Sequence, residues 1–253
     1  MAKILAFANQ KGGVGKTTSA VNIAASLGVL GKKVLLCDMD PQGNSSSGFG
    51  INKRGVHATT YEMLIGSASA ESAVVPTVFE NCWVIPSNIN LAGAEFDLFE
   101  MDRREYRLKE ALAPVLSGFD YVIVDCPPSL GMLTVNGLTA ADGVVIPMQC
   151  EFYALEGLGM LMNTVSKIKT HYNPDLEVTG ILLTMYNGRL VLSMQCVSEL
   201  KKYYADKLFS TTISRNVKLS EAPGFGVPVW YHDKTCKGSQ EYLAAARELA
   251  ERI

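Results

Sequence analysis

The sequence lacks an excess of either charge. Its 253 residues carry 23 Lys and Arg against 25 Asp and Glu, which gives a formal net charge of −2. Bulk charge therefore gives no sign of nucleic-acid binding, and any such surface has to be a local patch. Charged residues make up 19% of the chain and hydrophobic residues 48%, a balance that excludes a disordered chain. A chain of this length can bury a sizeable core as one large α/β domain, with two small domains as the alternative.

Paired cysteines and long apolar runs are also missing. The six cysteines are widely spaced without a C-x-x-C pair, which argues against a zinc site or a thioredoxin-type motif. We expect reduced, mostly buried thiols in a cytoplasmic protein. No signal-peptide pattern precedes the first apolar run, and no run is long enough to span a bilayer. Without a Pro- or Ser-rich linker, a repeat or a low-complexity tail, the chain is expected to be one domain over residues 1–253.

Short apolar runs alternate with helical patterns along most of the chain. The apolar runs cover residues 4–8, 33–37, 121–124, 144–147 and 178–184, and helical patterns cover 17–30 and 154–170. Continuous β-branched runs are typical of strands that are covered on both faces. This alternation predicts a doubly wound α/β fold with a mostly parallel sheet and helices on both faces. The Gly-, Ser- and Asn-rich segment between Gly43 and Asn90 is expected to hold short helices and loops.

A glycine-rich segment joins the first apolar run to the first helical pattern. It reads Gln10-Lys11-Gly12-Gly13-Val14-Gly15-Lys16-Thr17-Thr18. Such a turn exposes backbone N–H groups at a helix N-terminus, and these groups bind phosphate together with the helix dipole. Lys16 is expected to reach the β- and γ-phosphates, and the Thr17 hydroxyl is expected to bind Mg²⁺. The segment therefore predicts a P-loop ATPase with ATP and Mg²⁺ as its ligands.

The loop departs from the common P-loop pattern G-x-x-x-x-G-K-[ST] at one position. Gln10 stands where glycine is usual, and because Lys11 follows it, the loop carries two lysines. The second lysine is not needed to build the turn, so we interpret Lys11 as a group that stabilises charge. Cationic groups around a transferring phosphoryl group can contribute orders of magnitude in rate. The alternative is that Lys11 points into solvent.

Aspartates follow two of the apolar runs. Asp38 and Asp40 come directly after the run at 33–37, and Asp125 comes after the run at 121–124. Ligands of open parallel sheets bind at the carboxyl ends of the strands. Asp125 fits the Walker-B position, which holds Mg²⁺ directly or through water. Asp38 and Asp40 could orient the attacking water or bind the metal shell, and Asp38 could equally cap the turn before Pro41.

Three motifs together resemble the deviant Walker A ATPases, the group that includes ParA, MinD and the nitrogenase iron protein. They are the two-lysine loop, Asp38-Met-Asp-Pro-Gln-Gly-Asn44, and Asp125-Cys-Pro-Pro-Ser129. Within the group the ParA/Soj partition ATPases are the most similar branch, because the motifs at 150–157 and 215–223 are typical of them. These read Cys150-Glu-Phe-Tyr-Ala-Leu-Glu-Gly157 and Arg215-Asn-Val-Lys-Leu-Ser-Glu-Ala-Pro223. The resemblance spans nearly the whole chain and implies the deviant Walker A type of P-loop NTPase fold.

The resemblance also implies a homodimer that forms around two ATP molecules. Lys11 would reach across to the ATP of the partner, and Asp40 would activate water. The implied catalytic residues are Lys11, Lys16 and Asp40, and the implied metal-binding residues are Thr17, Asp40 and Asp125. The implied nucleotide-binding residues are Lys11, Gly12, Gly13, Val14, Gly15, Lys16, Thr17, Thr18, Met185, Arg215 and Pro223, the last three around adenine.

For partners, the resemblance implies non-specific double-stranded DNA and a ParB-type protein that stimulates hydrolysis and so releases the dimer. The protein would be cytoplasmic, and associated with the nucleoid when it holds ATP. Residues 189–237 carry eight basic and four acidic side chains, a net charge of +4 against −6 for the rest of the chain. This asymmetry suits salt-sensitive binding to a phosphate backbone, although an ordinary solvated face is the alternative. The candidate DNA contacts are Arg189, Lys201, Lys202, Lys218, Lys234 and Lys237.

Other members of the group offer alternative functions. A MinD-like membrane-cycling ATPase of division-site placement would need a basic amphipathic C-terminal helix. The segment 241–253 instead has a small, alanine-rich apolar face and three glutamates, so we expect it to pack on its own domain, without a membrane partner. An iron-protein function would need cluster-ligating cysteines, for which only Cys126 is placed, and a small-molecule kinase would need an acceptor lid. Because the P-loop begins by residue 10, we expect no N-terminal DNA-reading module.

Overall fold

A computed structural model describes residues 2–151 and 154–253, which form a seven-stranded sheet with helices packed on both faces. Phe152 and Tyr153, inside the motif at 150–157, lie outside the described residues. The strands, in chain order, are β1 (Lys3–Phe7), β2 (Val34–Asp38), β3 (Val75–Pro76), β4 (Cys82–Ile85), β5 (Tyr121–Asp125), β6 (Gly143–Gln149) and β7 (Glu177–Thr184).

Helices connect these strands and follow the last of them. They are α1 (Lys16–Val29), α2 (Asn44–Gly48), α3 (Thr60–Ile65), α4 (Ala70–Ala73), α5 (Ala94–Phe99), α6 (Arg107–Leu112), α7 (Met132–Ala140), α8 (Ala154–His171), α9 (Val191–Tyr204), α10 (Val217–Glu221), α11 (Val229–His232) and α12 (Lys237–Glu251). Each strand and helix predicted from the runs and patterns above is found, with ends within two residues of the prediction.

The sheet has the strand order β3-β4-β2-β5-β1-β6-β7. Every neighbouring pair is parallel except β3 with β4, which is antiparallel. Alternate strand residues feed two apolar clusters: Leu5 and Phe7 of β1 pack with α1 and α12, whereas Ile4 and Ala6 pack with helices on the opposite face. Because both faces are covered, the strands are continuously apolar. The predicted doubly wound, mostly parallel fold is confirmed.

The segment between Gly43 and Asn90 holds two strands that the sequence patterns did not predict, β3 and β4. Its short helices and loops are present, but β4 pairs in parallel with β2, with Val34 opposite Cys82. The expectation of helices and loops alone is therefore wrong at residues 75–76 and 82–85, since β3 also pairs with β4. A run of four apolar residues is too short to distinguish a strand from a buried turn, and pairing with β2 is what makes it a strand.

The strand order places a crevice beside β1. From β1 the chain moves to β2 on one side of the sheet and later to β6 on the other, with β5 and β6 as the direct neighbours of β1. Open parallel sheets bind ligands where the strand order reverses, outside the carboxyl ends of the strands. The glycine-rich segment leaves β1 at this point. In register, Phe7 lies beside Asp125, and Asp125 lies beside Asp38.

The last helix, α12, packs against α1 rather than facing outward. Its buried residues include Tyr242, Ala246 and Leu249, and the Tyr242 hydroxyl lies 3.1 Å from Ser19 Oγ of α1. The expectation that the C-terminal segment packs on its own domain is confirmed. Over the ranges 2–151 and 154–253, we find no helix with the length and apolarity that crossing a membrane requires.

Candidate phosphate-binding site

The glycine-rich loop ends in the first turn of α1. Gly13 and Gly15 have φ of 74° and 78°, in the left-handed region that side chains with a Cβ adopt only at a cost. Gly15 is the N-cap of α1, and the first N–H groups of a helix have no intrahelical acceptor. These groups and the helix dipole together form an anion site at the end of β1.

Polar side chains at the ends of two other strands hold the loop in place. Thr184, at the end of β7, donates from Oγ1 to the carbonyl oxygen of Val14 at 2.7 Å. Gln149, at the end of β6, donates from Nε2 to the carbonyl oxygen of Gly13 at 3.3 Å. Neither residue was predicted to belong to the site. The signal that could have found them is a polar residue at the end of an apolar run, as at Asp125.

The two lysines of the loop lie in different surroundings. Lys16, the first residue of α1, is only 6% exposed, and its charge counteracts the rise in the pKa of Asp125. Lys11 forms an ion pair with Glu151 instead, with 40% of its side chain exposed. Exposed ion pairs contribute about 0–1 kcal/mol, so Lys11 can leave Glu151 at little cost in free energy. Lys16 therefore belongs to the buried site of its own chain, and Lys11 does not.

Asp38 and Asp125 form a buried pair of carboxylates on neighbouring strands. Both are fully buried and lie side by side in the register of β2 and β5. Burial is the largest cause that raises the pKa of each above its ordinary value, and the charge of Asp125 raises the pKa of Asp38 further. The side chains of Lys16, Ser45 and Thr17 act in the opposite direction on Asp125. A positive charge beside these two buried carboxylates therefore favours their ionised forms.

Asp38 closes the turn that leads into α2. Its Oδ2 accepts hydrogen bonds from the backbone N–H and the hydroxyl of Ser46, at 2.8 and 2.7 Å. Its Oδ1 accepts from the backbone N–H of Asp40 at 3.1 Å. With its acceptors engaged in this way, Asp38 caps a turn, which is the structural alternative that the sequence left open. Ser46 could not be singled out within the run of serines at 45–47.

Asp125 keeps one carboxylate oxygen for a ligand. Ser45 Oγ donates to its Oδ2 at 2.5 Å, whereas Oδ1 is buried and has no hydrogen-bond partner among the described residues. A buried carboxylate oxygen without a partner is costly, and carboxylates are the oxygen ligands that Mg²⁺ prefers. Thr17 and Lys16 lie close enough to affect its pKa. Asp125 and Thr17 therefore fit the magnesium site that the sequence predicted.

Asp40 lies at the same edge of the sheet. It is 6% exposed, its Oδ1 accepts from the backbone N–H of Gln42 at 2.9 Å, and its charge raises the pKa of Asp125. The two carboxylates are therefore close enough to interact. This position is compatible with a role in orienting water next to the phosphate loop, which stays a prediction.

The residues predicted to surround adenine line two different cavities, both of which include Thr18. Met185 and Arg215 line a cavity of about 100 Å³ together with Thr18, and the sulfur of Met185, whose φ is 48°, accepts from Gln149 Nε2 at 2.7 Å. Pro223 lines a neighbouring cavity of about 460 Å³, to which Thr18 also contributes. The structure therefore brings Met185 and Arg215 together in one cavity and places Pro223 in another, which shares Thr18 with it.

The basic residues predicted to contact DNA fall into groups rather than one compact patch. One group surrounds the packed helices α10 to α12, and the others lie before and at the end of α9, a helix of 14 residues and about 20 Å. In chain order the residues are Arg189 before α9, Lys201 and Lys202 near its end, Lys218 on α10, Lys234 after α11 and Lys237 at the start of α12.

Three of these lysines have acidic partners on their own helices. Lys202 pairs with Glu199 at 2.5 Å, Lys218 with Glu221 at 2.9 Å and Lys237 with Glu241 at 3.5 Å. Each pair reduces the positive potential that its lysine projects into solvent. The net charge of +4 over residues 189–237 is therefore less concentrated than the count of basic residues suggests.

Cys126, the candidate cluster ligand, faces the core. Its side chain is fully buried, and a Cβ added at Gly137 of α7 would lie 2.7 Å from its sulfur. Burial raises the pKa of this thiol well above its ordinary value. Since iron–sulfur clusters are held by thiolates, Cys126 is poorly placed to ligate a cluster shared between two subunits.

Comparisons with known proteins agree with this geometry. A family model described as "AAA domain" (AAA_31) matches residues 2–178. The chain is 52% identical over 250 residues to the sporulation initiation inhibitor protein Soj of Bacillus subtilis (strain 168), covering 99% of each chain. It is 48% identical over 252 residues to the chromosome-partitioning ATPase Soj of Treponema pallidum (strain Nichols), covering 100% of this chain and 98% of that protein.

A solved structure extends the likeness to a ligand-bound protein. It is described as cobyrinic acid a,c-diamide synthase from Mycobacterium smegmatis with bound ATP analog and magnesium. It superposes with a TM-score of 0.87 at 38% sequence identity, over 99% of this chain and 95% of that one. A protein with this fold thus holds both of the ligands that the phosphate loop and Asp125 fit.

Proposed function

Because the chain belongs to the ParA/Soj family of partitioning ATPases, we propose that its ATP-bound form is a sandwich homodimer that binds DNA without sequence preference. In this proposal a ParB-type protein stimulates hydrolysis and releases the dimer, so that the protein cycles between cytoplasm and nucleoid while DNA is segregated. The single observation that supports the dimer most strongly is the division between a buried Lys16 and an exposed Lys11.

ATP binding is proposed to use the buried half of the loop. The N–H groups at the start of α1 and the ammonium group of Lys16 bind the phosphates, and Thr17 and Asp125 hold Mg²⁺. When bound, Mg²⁺ neutralises the charge that develops on the phosphate oxygens. Asp40, at the same edge of the sheet, orients the water that attacks the terminal phosphate. The base lies beside Met185 and Arg215.

Lys11 is proposed to act on the ATP of the partner protomer. Its ammonium group is outside the buried site of its own chain, and its ion-pair partner within the described part of the chain is Glu151, at the surface. A phosphate group approaching from a second protomer carries more negative charge than one carboxylate. Lys11 would therefore exchange Glu151 for that phosphate, which makes dimer formation dependent on ATP.

The two lysines can be separated by experiment. We expect Lys16→Ala to abolish ATP binding, whereas Lys11→Ala should bind ATP and fail to dimerise. Isothermal titration calorimetry measures the first property, and light scattering with and without a slowly hydrolysed ATP analogue measures the second. A Lys11→Ala protein that still dimerises with the analogue would show that the cross-dimer role is wrong.

The role of Asp40 has its own test. Removing the carboxylate in Asp40→Ala should slow hydrolysis and leave the neighbouring ligands of the phosphates in place. We therefore expect a long-lived ATP dimer, seen as a dimer peak that persists in gel filtration after addition of ATP. An unchanged turnover number would remove Asp40 from the catalytic residues.

DNA binding should depend on ATP. It should also weaken with added salt, because lysine and arginine side chains bind DNA by neutralising its backbone phosphates. Charge reversal in Arg189→Glu or Lys218→Glu is expected to lower affinity for DNA of any sequence, measured by gel shift. Lys32→Glu is the matched control, since Lys32 is exposed between α1 and β2, outside the segment 189–237 that carries the candidate DNA contacts. Equal affinity of the wild type and both test variants would remove those residues from the DNA surface.

A further inference from the structure

The short helix α5 presents two large aromatic side chains to solvent. Phe96 is 82% exposed and Phe99 is 69% exposed, whereas Ala94 and Leu98 on the other side of the helix are buried. Residues three apart on a helix are neighbours, so the two rings form one apolar surface. Adjacent exposed aromatic residues are typical of protein–protein contacts, where they act as anchors.

Acidic residues flank these two rings along the chain. The stretch 95–102 has no basic residue and four exposed acidic ones, which are Glu95, Asp97, Glu100 and Asp102. The guanidinium of Arg104 already lies 4.8 Å from the centroid of the Phe99 ring, so one side of this ring holds a cation. We call Phe96, Phe99 and these four acidic residues the α5 surface.

The α5 surface touches the segment that follows Asp125. Glu95 packs directly on the backbone of Gly131, where an added Cβ would lie 2.2 Å from Glu95 Oε1. Gly131 is the N-cap of α7 and ends the turn that leads away from Asp125. A partner that moves Glu95 would therefore act on the loop that directly follows the predicted magnesium ligand, Asp125.

We propose that the α5 surface is the docking site of a cationic, amphipathic segment of the ParB-type stimulating protein. The proposal rests on the proposed function. Arginine or lysine side chains of the segment pair with the acidic rim, and its apolar side chains cover Phe96 and Phe99. Charge complementarity favours this occupant over a second copy of the chain, because two copies of the surface would bring like charges together.

The test compares a double variant with a matched control. Phe96→Ser/Phe99→Ser removes both anchors from exposed positions, and Val78→Ser removes an apolar side chain that is 92% exposed in the turn between β3 and β4. The probe is the full-length ParB-type protein from the same source, titrated into an ATPase assay with DNA present. We expect basal turnover and DNA affinity to be unchanged in both variants. The partner concentration for half-maximal stimulation should rise at least tenfold in the double variant only.

Two further variants separate docking from transmission. Glu100→Lys/Asp102→Lys should weaken the partner at low salt and lose its effect as salt rises, since the rim acts through charge. Because Asp97, Glu100 and Asp102 keep the rim acidic, Glu95→Gln should retain most partner binding, measured by fluorescence anisotropy, with reduced stimulation of turnover. Unreduced stimulation would show that Glu95 does not transmit docking to the site.

The outcomes distinguish this proposal from the proposed function. A wild type that the partner does not stimulate overturns both. If the partner stimulates the wild type and the double variant at equal concentrations, only the docking site is wrong. A change in oligomeric state of the double variant without partner would assign the surface to a second copy and also overturn the proposal.

Discussion

Glu248 of α12 holds the segment that leads to the cavity lined by Met185 and Arg215. Its carboxylate accepts hydrogen bonds from the backbone N–H groups of Ser210 and Thr211, at 2.7 and 2.9 Å, and from Arg252 at 2.8 Å. The chain continues from there to Ser214 and Arg215, which line that cavity. Replacing Glu248 by glutamine keeps the shape of the side chain and removes its charge, so it tests how much these charge-assisted bonds stabilise the fold.

The expected loss of stability in Glu248→Gln follows from the pKa of the Glu248 carboxyl. Burial opposes its ionisation, but the hydrogen bonds from Arg252, Ser210 and Thr211 outweigh burial and lower its pKa from 4.5 to about 2. One pKa unit corresponds to about 1.4 kcal/mol, so the upper bound is about 3 kcal/mol. Because the Glu248 side chain is still 15% exposed, solvent screens part of the electrostatic stabilisation of its carboxylate. We expect Glu248→Gln to lower the free energy of unfolding by about 1–2 kcal/mol at neutral pH.

The pH dependence has a defined sign. A carboxyl whose pKa is lowered in the folded state contributes stability that is fully present above its unfolded pKa. For Glu248 that contribution is complete above pH 4.5 and is lost as the pH falls toward about 2. The difference between wild type and Glu248→Gln should therefore be constant from about pH 7 to about pH 5 and shrink by roughly half near pH 3.

Urea unfolding followed by circular dichroism, at each pH and without nucleotide, measures this difference. Glu251→Gln is the matched control, since Glu251 is exposed in the same last turn of α12 and should change stability by less than about 0.5 kcal/mol. A difference for Glu248→Gln that stays constant down to pH 3, or grows as the pH falls, would refute the assigned cause. An equal effect of both variants would also refute it.

Three further changes test the packing of α1 and the anchoring of the phosphate loop. Gly28→Ala should destabilise the fold by about 1–3 kcal/mol in urea unfolding, because the added Cβ would lie 2.4 Å from the carbonyl oxygen of Glu80. Gly159→Ala is the control: apart from its own helix, no atom of the described residues lies within 4 Å of its added Cβ, so it should be neutral or stabilising. Tyr242→Phe removes the buried hydroxyl contact with Ser19. It should lower the free energy of unfolding by about 1 kcal/mol, seen as a lower thermal midpoint. Thr184→Val removes a donor to the loop and should weaken ATP affinity in calorimetry several-fold; unchanged affinity would contradict its anchoring role.

The phosphate loop and the strand-end aspartates could be predicted because their signals are local. The loop is one contiguous segment between a strand and a helix, and parallel strands bring their carboxyl ends to one edge whatever their order. Asp38 and Asp125 therefore meet as expected, although they are far apart in the chain.

Contacts between distant segments could not be predicted in the same way. Thr184 bonds to a loop residue 170 positions away, and nothing in the sequence around either residue encodes that distance. The strand β4 depends on its pairing with β2, and the ion pair of Lys11 with Glu151 joins residues 140 positions apart. Tertiary packing decides each of these contacts, whereas composition and periodicity report only local preference.

Charge balance explains why one loop can serve two nucleotides in the proposed dimer. The charge of Lys16 acts on the buried Asp125, where water does not screen it, so Lys16 remains with its own chain. The charge of Lys11 acts on Glu151 at the surface, where an ion pair contributes little and is easily exchanged. If both lysines were buried, the second would only increase affinity for the same phosphates. Because one is buried and one exposed, the second can instead make the affinity of two protomers depend on the ATP between them.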